Sequence, residues 1–228
     1  MLGAASEAED AVQETMVRAW RAPDGFEGRS SLRSWLYRIA SNVCMDMHRS
    51  PQRRARPMEM GPSTATADAV LGPQLSEATW VQPVADDRVI AGDGDPADVV
   101  PHGSRSGARG PPQGYVDAFE RCGTDALAAL LRDDVVLSMP PWDLWLEGRR
   151  DLLDWFAGEG SGCRGARLVP VSVNGSAGFG NYRLTRPGLW EPFAIQVIEV
   201  RDGRISGHHN FIYPEHFAAF ELPDRIEA

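Results

Sequence analysis

The chain has 228 residues, 43% of them hydrophobic, and a formal net charge of −9, which suits one or two compact domains and excludes wholesale disorder. All 23 basic residues are Arg, so a P-loop lysine, a Schiff-base lysine and a Ser-Lys dyad are excluded together. Cys44, Cys122 and Cys163 lie far apart with no CxxC, so neither a zinc finger nor a disulfide framework is expected, and no metal site or organic cofactor is implied.

Charge is unevenly distributed. Residues 29–56 carry seven Arg against the single Asp46, whereas 61–112 and 113–228 are both acidic overall. An acidic chain thus holds one concentrated basic stretch, the local feature that matters for a polyanionic partner. No run approaches 18 apolar residues and the N-terminus, MLGAASEAED, is acidic, so the chain reads as cytoplasmic with no membrane contact.

Residues 6–21 (SEAEDAVQETMVRAWR) predict a helix: Ser6 and Glu9 have capping-box spacing, and Val12, Met16 and Ala19–Trp20 recur at helical spacing. Pro23 and Gly25 end it. A second helix is expected from Ser30 or Ser31, with Leu32, Trp35, Leu36, Ile39, Ala40, Val43 and Met47 as its apolar stripe and Pro51 as its stop. Its other face carries Arg33, Tyr37, Arg38, Asn42 and Arg49, and RRAR at 53–56 follows. Residues 61–112, with seven Pro, seven Gly and only Trp80 as a large aromatic, read as an acidic linker largely without stable structure.

From 113 onward the pattern changes. A helix carrying Tyr115, Phe119, Leu127, Leu130 and Leu131 precedes a strand DVVLSM, a Trp-rich turn and a short helix GRRDLLDWFA. Alternating segments at 166–174, 177–186, 192–200 and 204–213 predict strands, the last two joined by Asp202-Gly203, a strong hairpin signal. A terminal helix is expected from Pro214. Helices covering a bent antiparallel sheet make an α+β pattern. The whole chain then reads as an all-α N-terminal helical region joined by a flexible linker to an α+β domain.

EDAVQETMVRAWR followed by FEGRSSLRSWLYRIASNVCMDMHR resembles region 2 of extracytoplasmic-function sigma factors of the sigma-70 family, over about residues 6–57. The resemblance rests on the acidic-Gln-Glu helix, the short loop with Phe26, and S-L-R-S-W-L-Y-R-I-A-x-N with Asp46 four residues on. It implies that Asp10, Gln13, Glu14 and Arg18 dock on core RNA polymerase. It also implies that the loop and second helix bind the promoter −10 element and hold bases flipped from the non-template strand. Residue chemistry agrees: Arg29, Arg33, Arg38, Arg49, Arg53 and Arg54 can neutralise phosphates. Tyr37 and Asn42 offer an aromatic plane and a two-way amide for an unstacked base. A charge run by itself is more often a solvated helix face, so the motif carries this reading.

Two departures from that family stand out. Its members have a further helix before the position of residue 1, so the chain is expected to begin partway through region 2. They also carry a helix-turn-helix for the −35 element, which should follow the acidic linker near 98–101. Here DPADVV runs directly into PHGSRSGARGPP.

Residues 113–222 resemble a SnoaL-like domain, the cone-shaped α+β fold shared with polyketide cyclases and ketosteroid isomerases, on ALLRDDVVLSMPPWDLWLEGR and RDGRISGHHNFIYP. That fold implies an interior lined by Trp142, Trp145, Trp155, Tyr182, Trp190 and Phe193, with Asp143, His208, His209 and Asn210 as polar candidates. Trp142, Asp143, Trp145, Tyr182, His208 and Asn210 are the expected pocket for a small apolar ligand. Enzymes of the fold place an acid on the last strand in a pattern like G-K-I-x-E-H-W-D. This chain reads G-R-I-S-G-H-H-N, and Asn210 has no useful pKa, so no catalysis is expected.

The expected organisation is 1–60 sigma region 2, 61–112 linker, 113–222 SnoaL-like domain and 223–228 tail. The expected function is transcription initiation with core RNA polymerase and −10 promoter DNA as partners, modulated by the SnoaL-like domain. The alternative is a SnoaL-like enzyme or ligand-binding protein with a vestigial sigma region.

Overall fold

The computed structural model describes residues 4–26, 28, 30–49, 54–66, 69, 71–88 and 111–228. They form two compact units. One comprises residues up to Arg56 together with Ser76–Gln82, and the other Pro57–Leu75 with Pro83–Ala228.

The first unit is built on α1 (Ala5–Arg21) and α2 (Leu32–His48). Helix α1 starts at Ala5 with Ala4 as its N-cap and no side-chain cap, so the expected Ser6–Glu9 capping box does not form. Its buried face is Ala4, Ala11 and Thr15, whose small side chains allow close approach, while Val12, Met16 and Trp20 are exposed. Helix α2 begins as its sequence predicts, with Ser31 Oγ accepting from the Ser34 amide at 3.2 Å. Trp35 and Val43 are its buried anchors, and Phe26 packs on Trp35 at 5.5 Å between ring centroids.

Two helices bury too little to stand alone. The third element comes from the segment that composition predicts to be linker. Trp80 is fully buried, and Ala55 pairs with it in a parallel bridge, the Ala55 amide donating to Thr79 O at 2.7 Å and the Val81 amide to Ala55 O at 3.0 Å. Arg54 locks this joint. Its Nε pairs with Glu7 at 2.7 Å, and its Nη1 donates to the carbonyls of Glu77 (2.9 Å) and Trp80 (3.0 Å).

Other described parts of the same segment belong to the second unit. Thr66 binds Asp151 through amide and hydroxyl, the Leu75 amide donates to Pro141 O, and the Val84 amide donates to Asn174 Oδ1. Up to Arg88 the described residues are therefore anchored, while the Arg/Gly-rich run through 110 lies outside the described set.

The second unit is one curved sheet with helices on its inner face. In chain order it has α3 (Pro57–Met60), α4 (Tyr115–Glu120), α5 (Thr124–Leu130), β1 (Leu131–Ser138), β2 (Trp145–Glu147) and α6 (Arg149–Ala157). Then follow β3 (Arg167–Val173), β4 (Ser176–Arg186), β5 (Leu189–Arg201), β6 (Arg204–Phe211) and β7 (Ile226–Glu227). The strand order is β2-β1-β6-β5-β4-β3, with β7 also paired to β5. All pairings are antiparallel except β1–β6. The β5–β6 hairpin turns at Asp202 (φ 53°) and Gly203 (φ 73°), as the Asp-Gly signal predicts.

The helix expected to run from Tyr115 to Leu131 is broken at Cys122 (φ 51°) and Gly123, and Leu131 already opens β1. The terminal helix is a 3₁₀ segment, Pro214–Phe220. The cysteine expectation is also corrected: Cys122 and Cys163 form a disulfide, with Cα atoms 5.6 Å apart across a separation of 41 residues. Spacing along the chain does not reveal a pair that the fold brings together.

Trp80→Ala tests the joint. The substitution is expected to cost the first unit about 3–5 kcal/mol, read as a lower urea midpoint for loss of the helical circular-dichroism signal. An unchanged midpoint would place Trp80 outside the core of that unit.

Candidate functional site

In the first unit, α2 turns Arg33, Tyr37, Arg38, Asn42 and Arg49 to solvent. The Arg33 guanidinium lies 5.5 Å from the Tyr37 ring centre, a cation–π contact that holds the aromatic plane outward. Arg38 and Asn42 are one turn apart. Arg29 and Arg53 lie outside the described residues. Arg54 does not join this face, because its side chain is 11% exposed and is engaged by Glu7 and two carbonyls.

Helix α1 presents a second surface. Asp10 and Gln13 are exposed beside Val12, Met16 and Trp20, the last 87% accessible. Glu14 and Arg18 act within the unit, where Arg18 binds Glu14 at 2.8 Å and Asp46 of α2 at 2.9 Å. Those two carboxylates hold the Arg18 guanidinium above its ordinary pKa.

In the second unit, strand alternation places Phe179, Gln196, Ile198, His208 and Asn210 on the inner face, with Phe179 opposite Gln196 and Ile198 opposite His208. Helix α4 lays Tyr115 and Phe119 over them, and α6 adds Phe156. His208 is 1% exposed, 5.7 Å from the Phe119 ring and 5.5 Å from Phe156. A single chain of hydrogen bonds satisfies it. Asn210 Nδ2 donates to His208 Nδ1 (3.1 Å), His208 Nε2 donates to Tyr115 Oη (2.8 Å), and Tyr115 Oη–H donates to Gln196 Oε1 (3.2 Å). This direction requires the neutral Nε2–H tautomer. Desolvation, aided by neighbouring His209, lowers the His208 pKa to about 3, and desolvation raises the Tyr115 hydroxyl well above its ordinary value.

Of the six expected pocket residues, the structure joins His208 and Asn210. Trp142 is partly buried against the same core. Asp143 is exposed, and Trp145 Nε1 donates to Gly61 O at 3.0 Å. Tyr182 lies on the opposite sheet face, edge-on to Phe217 at 5.0 Å, with its hydroxyl on Pro223 O. Tyr115 and Gln196 complete the cluster instead. Tyr115 reads in the sequence as one more residue of an apolar helix stripe, and nothing in the 192–200 alternation marks Gln196 as special. Two surface depressions, around Arg149, Arg150 and Asp154 and around Gln113, Tyr115 and Glu120, include neither His208 nor Asn210. Among the described residues no group of three His, Cys, Asp or Glu could hold a metal ion, and no helix is long and apolar enough to cross a membrane.

Residues 1–54 match the family Sigma-70 region 2, and residues 113–208 match the SnoaL-like domain family. The chain is 38% identical over 136 residues to the extracytoplasmic-function RNA polymerase sigma factor SigG of Mycobacterium tuberculosis, covering 60% of this chain and 35% of that protein. It is 46% identical over 46 residues to the sigma factor SigW of Bacillus subtilis, covering 20% of this chain and 25% of SigW. The chain therefore spans about a third or less of the length of these relatives. The crystal structure of the M. tuberculosis extracytoplasmic function sigma factor SigJ aligns with 97% of this chain and 93% of its own, at 20% identity and a TM-score of 0.57. That likeness shows the fold: N-terminal helices followed by a sheet-rich SnoaL-like domain.

The sealed imidazole also makes stability depend on pH. Its folded pKa of about 3 lies below the ordinary 6.5, so the unfolded chain binds the extra proton between those values. Stability is then full above about pH 6.5 and falls as pH drops towards 3, at up to about 1.4 kcal/mol per unit. His208→Gln is expected to flatten that slope in urea titrations between pH 7 and 4, and equal slopes would mean that His208 titrates normally in the fold.

Proposed function

We propose that this chain, which joins a sigma-70 region 2 to a SnoaL-like domain, acts in the cytoplasm as an RNA polymerase sigma factor of the extracytoplasmic-function type. It binds core polymerase through α1 and the promoter −10 element through α2, and its SnoaL-like domain regulates that activity without catalysing a reaction.

The observation that carries the reading is the solvent face of α2. Arg33, Arg38 and Arg49 supply phosphate contacts, and between them stand Tyr37, held by Arg33, and the exposed amide of Asn42. Opening a duplex needs both: neutralised phosphates for affinity and a flat or two-way polar group for an unstacked base. The same helix keeps Trp35 and Val43 buried, so the polar face projects from a fixed frame. On α1, the exposed Val12, Met16 and Trp20 beside Asp10 and Gln13 form an apolar strip with a polar edge, the composition of a protein-binding surface. Glu14 and Arg18 support that surface by tying α1 to Asp46.

A non-catalytic SnoaL-like domain is supported by the cluster itself. Its imidazole is neutral and walled by aromatic rings, and the neighbouring strand position holds Asn210 rather than an acid.

The test is binding of the full chain to core RNA polymerase, with Gln13→Ala/Trp20→Ala as the comparison. Binding abolished in the double variant supports the reading, and no binding by the parent chain overturns it. Asn42→Ala is expected to weaken binding to single-stranded −10 DNA by about 1–3 kcal/mol. Arg33→Gln/Arg38→Gln is expected to reduce the salt slope of that binding by about 0.7 for each phosphate neutralised by the parent residue. An unaltered slope would make both Arg solvated residues only.

A further inference from the structure

The three cysteines divide into one free thiol, Cys44 of α2, and the pair Cys122–Cys163. We infer that this pair is a reversible thiol–disulfide site whose state sets how firmly α4 and α6 cover the His208 cluster. Its oxidant is a peroxide or a small disulfide, and its reductant a dithiol.

Cys122 sits one residue past the C-cap of α4, and Cys163 ends the 3₁₀ segment Glu159–Cys163 that follows α6. The bond therefore joins the end of α4, which carries Tyr115 and Phe119, to the 3₁₀ segment that follows α6, which carries Phe156. Those three side chains are the aromatic ones against the His208 ring. With six and nine residues, α4 and α6 are too short to persist unaided, and their order depends on tertiary ties.

Cys122 occupies φ 51°, a left-handed conformation that favours Gly or Asn, so turn preference does not account for a cysteine there. Its partner rides on Gly158-Glu159-Gly160-Ser161-Gly162-Cys163, a glycine-alternating stretch with much conformational freedom to regain on release. The reduced state is also provided for: Cys122 Sγ lies 3.5 Å from Phe156 O, an acceptor for its S–H. The Cα separation of 5.6 Å suits a disulfide without backbone movement.

The chemistry balances. On oxidation the two Sγ–H bonds give up two protons and two electrons, Sγ–Sγ forms, and the O–O bond of hydrogen peroxide is cleaved to two waters. On reduction a dithiol passes two hydrogens to the pair and becomes a disulfide itself. In a reducing compartment, which the polymerase-binding reading implies, disulfides are typically transient and redox-sensing. The inference rests on that reading for its setting alone.

The experiment uses the full chain, without polymerase or DNA, so its failure is distinct from failure of the sigma reading. Samples cycled between hydrogen peroxide and dithiothreitol under native conditions are denatured in an alkylating reagent and weighed by mass spectrometry. One alkylated cysteine after oxidation and three after reduction, repeatedly, are expected, and Cys44→Ala should remove one label from each state. Three labels in both states, or a bond that dithiothreitol does not open without denaturant, overturns the reversible site. Hydrogen exchange of the α4 and α6 amides is expected to rise at least about tenfold on reduction. Unchanged exchange overturns the coupling to the His208 cluster. The reduced parent chain serves as the reference for Cys122→Ser, so a variant that fails to fold leaves the test intact.

Discussion

An imidazole buried in a cage of aromatic rings can exist only if both its nitrogens are satisfied and its charge is suppressed. The second unit is arranged around that constraint. His208 comes from β6, its acceptor Tyr115 from α4, the next acceptor Gln196 from β5, and its donor Asn210 from the same strand two residues on. One oriented chain of donors thus ties a helix to the two central strands. Removing any member leaves a buried polar group unpaired, which costs more than the bond contributes when made. The same arrangement explains why Asn rather than an acid stands at 210. A carboxylate beside His208 would favour the imidazolium and bring two charges into a dry interior, where each must be desolvated.

The first unit meets a different constraint. Helix α1 offers only small buried residues to Trp35 and Val43 of α2, so the two helices alone enclose little apolar volume. Trp80 supplies the missing bulk and Arg54 the polar fastening, with its guanidinium fork meeting one carboxylate and two carbonyls. This use of Arg54 has a consequence for the basic stretch. A cluster read as a continuous polyanion surface divides into Arg54, which holds the fold, and residues that face solvent, Arg33, Arg38 and Arg49 at α2 and Arg56 beyond it.

Much of this organisation is legible in the sequence, for identifiable reasons. The α2 anchors Trp35 and Val43, the Asp202-Gly203 turn and the inward set of β6 follow from periodicity and turn chemistry, which are local, although Leu32 of the expected α2 stripe is 56% exposed. The features that escape such a reading are those made by distance. Cys122 and Cys163 meet across 41 residues, and Trp80 is buried although its neighbours have the composition of loose chain. Tyr115 looks like an ordinary core residue until the fold places its hydroxyl against His208. Tyr182 is expected in the pocket because aromatic residues line such interiors. Strand alternation sets Tyr182 with Gly180 on the face opposite Phe179, where it packs on Phe217. For α1 the apolar periodicity is real but its direction is not readable: Ala11 and Thr15 are buried, while Val12, Met16 and Trp20 are not.

That reversal on α1 is informative about what the surface is for. Burying three large apolar side chains against α2 would have been the more stabilising use of them, by roughly 1.5–3 kcal/mol each. The chain instead packs α1 through Ala and Thr, and draws on Arg18, Glu14 and Asp46 to hold the helices together. Such exposed ion pairs contribute little, so the arrangement gives up stability and keeps an accessible apolar strip. The α1 helix thus leaves its largest apolar side chains in solvent and packs on its smallest. The polar face of α2 follows the same logic, with Tyr37 and Asn42 exposed while the core is made by Trp35, Val43 and a tryptophan recruited from beyond the helices.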